Sequence, residues 1–193
     1  MTVVVITPPA PVVTFEEVSK HLADVPAEDK DYVEALTAAA TAWIDGPAGW
    51  LGRAIGVQML ELDGCFGCER FRLPIGPVIE IDSIVTDAHA DDPITVDPSF
   101  YSLRSMDTLV VPTGASWVRQ SDHRIRYWAG YGRRDPGDAT KWINDAPAPI
   151  KVAIMMLVAQ WYGTRSGVSI GAAPETMPFA VDALLSPYRN WRV

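Results

Sequence analysis

The residues best suited to chemistry are few. Cys65 and Cys68 frame a Cys-x-x-Cys in Cys65-Phe66-Gly67-Cys68, the spacing of half a zinc site or of a redox pair. A tetrahedral zinc site takes four ligands, and these are the only two cysteines in the chain. A thioredoxin-like pair belongs at a helix start, whereas this one sits in a hairpin turn. The plainer reading is a turn with two free thiols. The three histidines, His21, His89 and His123, show no paired spacing. Asp122 next to His123 suggests an acid–base pair, but adjacent residues of a strand point in different directions, so His123 is read as a solvated loop residue. Asp91-Asp92 and Asp135-Pro136-Gly137-Asp138 lack the alternating acids and closing Glu of a calcium loop and read as turns.

Other motifs fail on spacing. Gly130-Tyr131-Gly132 has neither the Lys-Ser/Thr of a phosphate loop nor the dinucleotide-binding pattern. There is no Gly-x-Ser-x-Gly elbow. Trp161-Tyr162 would serve as a ligand platform, but it sits at helical spacing and reads as core packing. The residues therefore name no catalytic group, metal site or cofactor.

The elements that would position these groups are legible. Thr14 followed by Glu17 is a capping box, opening a short helix with Phe15, Val18 and Leu22 on one face and Pro26 beyond its end. A second helix runs from about Glu28 to Asp45, its acidic first turn suited to the helix dipole. Tyr32, Leu36, Ala40 and Trp43 mark its face, widened by Val33 and Ile44, and Gly46-Pro47 stops it. From about residue 56 to 131 the period changes to that of strands. Segments 57–62 and 69–73 flank the Gly-Cys-Phe-Gly turn, 78–85 is a third strand, 100–103 and 108–111 form a short hairpin, and 124–128 alternates as a half-buried strand does. A third helix opens after Pro147 and Pro149, with Ile150, Ala153, Ile154, Leu157, Val158, Trp161 and Tyr162 recurring at three and four. Residues 163–178 are a loop, a last helix spans about Phe179 to Leu185, and Pro187 ends it. Met1 to Pro11 is an extended lead-in, a strand or arm that pairs with something else. The expected fold is α+β, a small bundle of three to four helices (14–55 and 147–186) with an inserted antiparallel β module, and a C-terminal arm at 187–193, all in one domain.

Composition bounds the function. The chain has 193 residues, 48% apolar and 21% charged, ordinary for a folded globular domain. No apolar run reaches the length of a membrane span. The Val3–Ile6 run has no preceding Lys or Arg and no cleavage site, so no signal peptide is expected and synthesis and folding belong in the cytoplasm. A net charge of −8, from 24 acidic and 16 basic residues, argues against gripping duplex nucleic acid. Like charge also lets an acidic protein surround DNA without holding it. Seven tryptophans are more than one core of this size needs. Trp50, Trp117, Trp128, Trp142 and Trp191 cannot all be central, which points to protein partners.

Taken together, ordered blocks along most of the chain resemble the head–tail connector (adaptor) proteins of long-tailed phages, prophages and gene-transfer agents. The blocks are Thr14 to Leu22, Asp45 to Ala54, Arg72 to Val78, Asp97 to Tyr101, Ile125 to Gly132, Ala148 to Lys151, Ala159 to Tyr162 and Ala183 to Arg189. The resemblance implies a homo-oligomeric ring, with twelve the expected number of copies, seated beneath the portal protein in the neck of the virion or gene-transfer particle. It would extend the DNA channel, without sequence-specific contacts, and carry the stopper or tail-side neck protein. The family has no known catalytic residues. Its smaller members have little β insert, and Cys65 and Cys68 are not part of its pattern. The tail is expected to dock on the portal as an arm formed by Tyr188, Arg189, Trp191, Arg192 and Val193, with Trp191 as apolar anchor and Arg189 and Arg192 meeting acidic groups. Two other classes stay open on the residues alone: a monomeric carbohydrate- or peptide-binding module using the aromatic β insert, and a redox protein using Cys65 and Cys68.

Overall fold

A computed structural model of the chain describes residues 2–23, 25–64, 70–105, 107–110, 122–164 and 178–191. The chain divides into two compact units, one of residues 1–10 and 53–145, the other of 11–52 and 146–193. The fold is α+β: the first unit carries the strands and the second the helices.

In the helical unit, α1 (Phe15–His21) starts on the expected capping box. The Thr14 hydroxyl accepts from the Glu17 amide at 3.3 Å, and the Glu17 carboxylate accepts from the Thr14 amide at 2.8 Å. Glu17 also meets Lys151 of α3 (Ala148–Gly163) at 3.2 Å, tying the first helix to the third. A 3-10 turn at Ala27–Asp29 leads into α2 (Lys30–Ile44). Its buried line is Val33, Thr37, Ala40 and Ile44, so that Val33, Ala40 and Ile44 of the expected face are buried, Leu36 and Trp43 are half-buried and Tyr32 is exposed. Thr37 is the one buried residue that the apolar pattern did not name. Its hydroxyl donates to the Val33 carbonyl at 2.8 Å, so a nominally polar residue is buried with its hydrogen bond made. On α3 the buried line Ile150, Ala153, Ile154, Leu157 and Val158 is the expected one. Trp161 is half-buried against Trp43, ring centres 6.0 Å apart, and Tyr162 against Tyr32 at 6.2 Å, with its hydroxyl donating to Asp29. Both are packing residues between α2 and α3. The short α4 (Phe179–Leu185) contributes Val181 and Leu185 to this core.

The β unit centres on a five-stranded antiparallel sheet. Its strands are β1 (Thr2–Thr7), β2 (Gln58–Gly64), β4 (Val78–Thr86), β5 (Ile94–Thr95) and β8 (His123–Ala129), in the order β1-β2-β8-β4-β5. A second sheet of β3 (Arg70–Arg72), β6 (Ser102–Arg104) and β7 (Thr108–Val110) has the order β3-β7-β6. Strands β9 (Gly132–Arg134) and β10 (Trp142–Asn144) form a two-stranded ribbon. Leu60, Leu62, Leu73, Ile84, Leu109, Ile125 and Tyr127 are buried together in the core that the sheets share.

Three strand readings change. The lead-in strand β1 pairs within its own chain, antiparallel to β2, with Val3 opposite Leu62 and Val5 opposite Leu60. The segments around the Gly-Cys-Phe-Gly turn do not pair with each other. β2 lies between β1 and β8 whereas β3 joins β7 in the other sheet. Period-2 alternation identifies a strand but says nothing of its neighbour, and both central partners of β2 are distant in sequence. His123 is fully buried rather than solvated. It is the first residue of β8 and in phase with Ile125, Tyr127 and Ala129, the core-facing residues of that strand.

Candidate functional site

The outer face of the large sheet is built by the alternate residues. On β8 these are Arg124, Arg126 and Trp128, and on β2 they are Met59, Glu61 and Asp63. The register sets Asp63 opposite Arg124 and Glu61 opposite Arg126. Arg124 reaches Asp63 at 3.1 Å and Glu61 at 3.5 Å, and Arg126 reaches Glu61 at 2.7 Å. This alternating grid satisfies its own charges across strands. Beside it Trp128 and Trp142 approach to 5.1 Å between ring centres. Arg134 lies over both, 3.8 Å from the Trp142 ring centre and 5.8 Å from that of Trp128, and also pairs with Glu80. The two tryptophans are covered by a cation of the same chain.

The C-terminal segment makes a second aromatic–cation cluster, within the helical unit. After a 3-10 turn at Ser186–Tyr188, the guanidinium of Arg189 is 4.1 Å from the Trp50 ring centre and 4.2 Å from that of Trp191. Asn190 pins the chain beside it. Its amide donates to the Leu51 carbonyl at 2.8 Å, and its side-chain amide reaches the Gly52 carbonyl at 3.5 Å. Tyr188 and Arg189 are half-buried, whereas Trp191 is 67% exposed. Of the expected arm residues, Arg189 and Trp191 thus stack together, Tyr188 ends the preceding 3-10 turn, and Arg192 and Val193 lie outside the described residues. Trp50 is the member that the sequence did not connect to the arm. Nothing local could, because the stack joins segments far apart in the sequence.

The titratable candidates do not converge. Cys65, Cys68 and Trp117 lie outside the described residues. Among those described, no group of three or more His, Cys, Asp or Glu could hold a metal ion. The Asp122 carboxylate meets Nδ1 of His89, and that hydrogen bond is the main cause holding Asp122 below the usual carboxylate range. Asp135 accepts from the Gly137 amide at 2.8 Å. Asp138 accepts from the Thr140 amide at 3.0 Å and from the Thr140 hydroxyl, bonds that lower its pKa. These are turn-closing carboxylates, as the sequence suggested for 135–138. No described helix is long and apolar enough to cross a membrane.

Against known proteins, no family model matches the chain, and no curated protein does. Solved structures do. The chain superposes over its full length on 97% of a chain in the neck of an empty gene transfer agent particle computed with C6 symmetry, with a TM-score of 0.75 and 22% identity. A chain in the virion of a native gene transfer agent particle gives 0.73 and 24% identity, at the same coverage of both chains. A chain in the neck of a native particle computed with C12 symmetry gives 0.65 and 22%, again covering 100% of this chain and 97% of that one. At these identities the likeness is one of fold, and it includes both units.

Proposed function

We propose that this chain is a structural subunit of the neck of a tailed phage or gene transfer agent particle and not an enzyme. Copies of it form a ring, twelve in the expected arrangement, below the portal; the ring extends the DNA channel and joins head to tail-side proteins. The observation that carries this reading is the likeness of fold, over 100% of this chain and 97% of each of the others, to chains in gene transfer agent particles and their necks. Sixfold and twelvefold symmetry in those assemblies favours the ring. The charge of −8 suits a wall past which DNA slides.

Portal docking by the C-terminal arm fits the same reading. Trp191 offers a large, exposed apolar surface, the kind of residue that anchors interfaces. Arg189, stacked between Trp50 and Trp191, places its cation at the base of the arm, and Arg192 and Val193 follow in the sequence. A monomeric binding module using the aromatic β insert has less support, because Trp128 and Trp142 are already capped by Arg134.

An electron-microscopy map of particles carrying this chain tests the function. The expected result is density for it as a ring between portal and tail; its absence from that position overturns the reading. For the arm, truncation after Pro187 is expected to leave the folded chain but lower its occupancy in particles several-fold. Normal occupancy of the truncated chain would exclude the arm.

A further inference from the structure

The β unit separates its charges. The small sheet β3-β7-β6 turns Phe71, Leu103 and Leu109 toward the core. Its register places Arg72, Thr108 and Arg104 side by side, and Arg70 in line with Val110 and Ser102. Since alternate residues of a strand share a face, Arg70, Arg72 and Arg104 emerge together on the opposite side, and all three are exposed. Arg72 is paired with Asp107 at 2.6 Å. Arg104 has no ionic partner among the described residues.

Negative charge gathers on another stretch of the same unit. From Asp82 to Tyr101 there are five aspartates and no lysine or arginine. Asp91 and Asp92 stand exposed in the connection between β4 and β5, with Asp87 half-buried before them. The aspartates of this connection have no arginine or lysine partner among the ion pairs of the described residues.

We propose that the Arg70–Arg72–Arg104 face of one copy docks on the Asp87–Asp92 segment of the next copy around the ring. The proposal rests on the ring reading above and names the contact that closes it. A cyclic ring needs a heterologous contact, in which two different patches of one subunit each meet the other patch of a neighbour. Two patches of opposite sign on one compact unit supply such a pair, fixing direction and excluding like-to-like association. A duplex would be a different occupant of the basic face. Three arginines, Arg72 among them paired with Asp107, on a chain of net charge −8 are a poor grip for phosphates but a sufficient match for three aspartates.

A charge exchange tests this in cells that assemble the particle. One variant carries Arg70→Glu and Arg104→Glu; the other carries Asp91→Arg and Asp92→Arg. Each alone is expected to lower the yield of tailed particles roughly tenfold or more, since like charges then face each other at every contact. Supplied together, they restore it to within about threefold, because alternation around an even-numbered ring returns every contact to opposite charge. Circular dichroism of each purified variant should match the parent, separating assembly from folding. Normal assembly by either variant alone, or failure of the mixture to rescue with both chains folded, overturns the proposal. Loss of duplex DNA binding by the arginine variant, with copy–copy assembly intact, would do the same and assign the face to DNA. A neck map with a ring whose arginines face no neighbouring copy would remove this contact and leave the ring; a map without the ring would remove both.

Discussion

Glu17 shows how one carboxylate can serve both a helix start and a tertiary contact. It accepts from the Thr14 amide and from Lys151, and the first of these bonds is the main cause holding its pKa below the usual 4.5. A carboxyl whose folded pKa is depressed contributes stability that is present above the unfolded value and lost as pH falls through the folded value. Its side chain is 41% exposed, so solvent screening keeps the contribution modest. Glu17→Gln is therefore expected to destabilise the chain slightly at neutral pH. In urea titrations the gap between variant and parent should close as pH drops below about 4.5. A gap that stays constant across that range would show that the ionised carboxylate is not the stabilising form. Arg189 illustrates a different point at this scale. A guanidinium between two indole rings is held by orientation as much as by charge, which lysine would not reproduce.

At the scale of elements, the end of β8 sets a tight requirement. Gly130 has φ +131, and a Cβ there would lie 2.3 Å from the Gly56 carbonyl oxygen. Its amide donates to the Pro77 carbonyl at 2.8 Å, so this glycine brings three segments of the β unit together. Gly130→Ala is expected to cost about 3 kcal/mol and lower the thermal midpoint clearly. Gly137→Ala is the control. There a Cβ meets only the Asp135 carboxylate, at 3.5 Å, and the change should stay within about 0.5 kcal/mol. Equal midpoints for the two variants would contradict this account. The edge strand β1 is the other notable element. It leaves Val4 and Ile6 exposed on a sheet edge, a feature that soluble chains usually blunt and that suits a subunit buried in an assembly.

For the whole molecule, charge decides how the chain treats DNA. Non-specific duplex binding comes from counterions released by clustered Lys and Arg, and here acids outnumber bases by 24 to 16. The free chain is expected to bind duplex DNA with a Kd weaker than about 0.1 mM at roughly physiological salt, measured by fluorescence anisotropy. Micromolar binding would contradict the sliding wall proposed above and point to a gripping one.

Read alone, the residues determined the helices, the capping box, the core-facing line of α3 and the antiparallel β insert, because these follow from local periodicity and from Pro, Gly and Thr at element ends. The ordered blocks from Thr14 to Arg189 also carried the neck-protein resemblance. Only tertiary structure decided which strands are neighbours: β1 joining β2, and β2 and β3 parting into separate sheets. It likewise decided that His123 is buried, that His89 meets Asp122, and that Arg189 lies between Trp50 and Trp191. The physical reason is shared. A side chain's periodicity is set by its own backbone, whereas its partner is chosen by long-range pairing and burial, which leave no mark at fixed spacing along the chain.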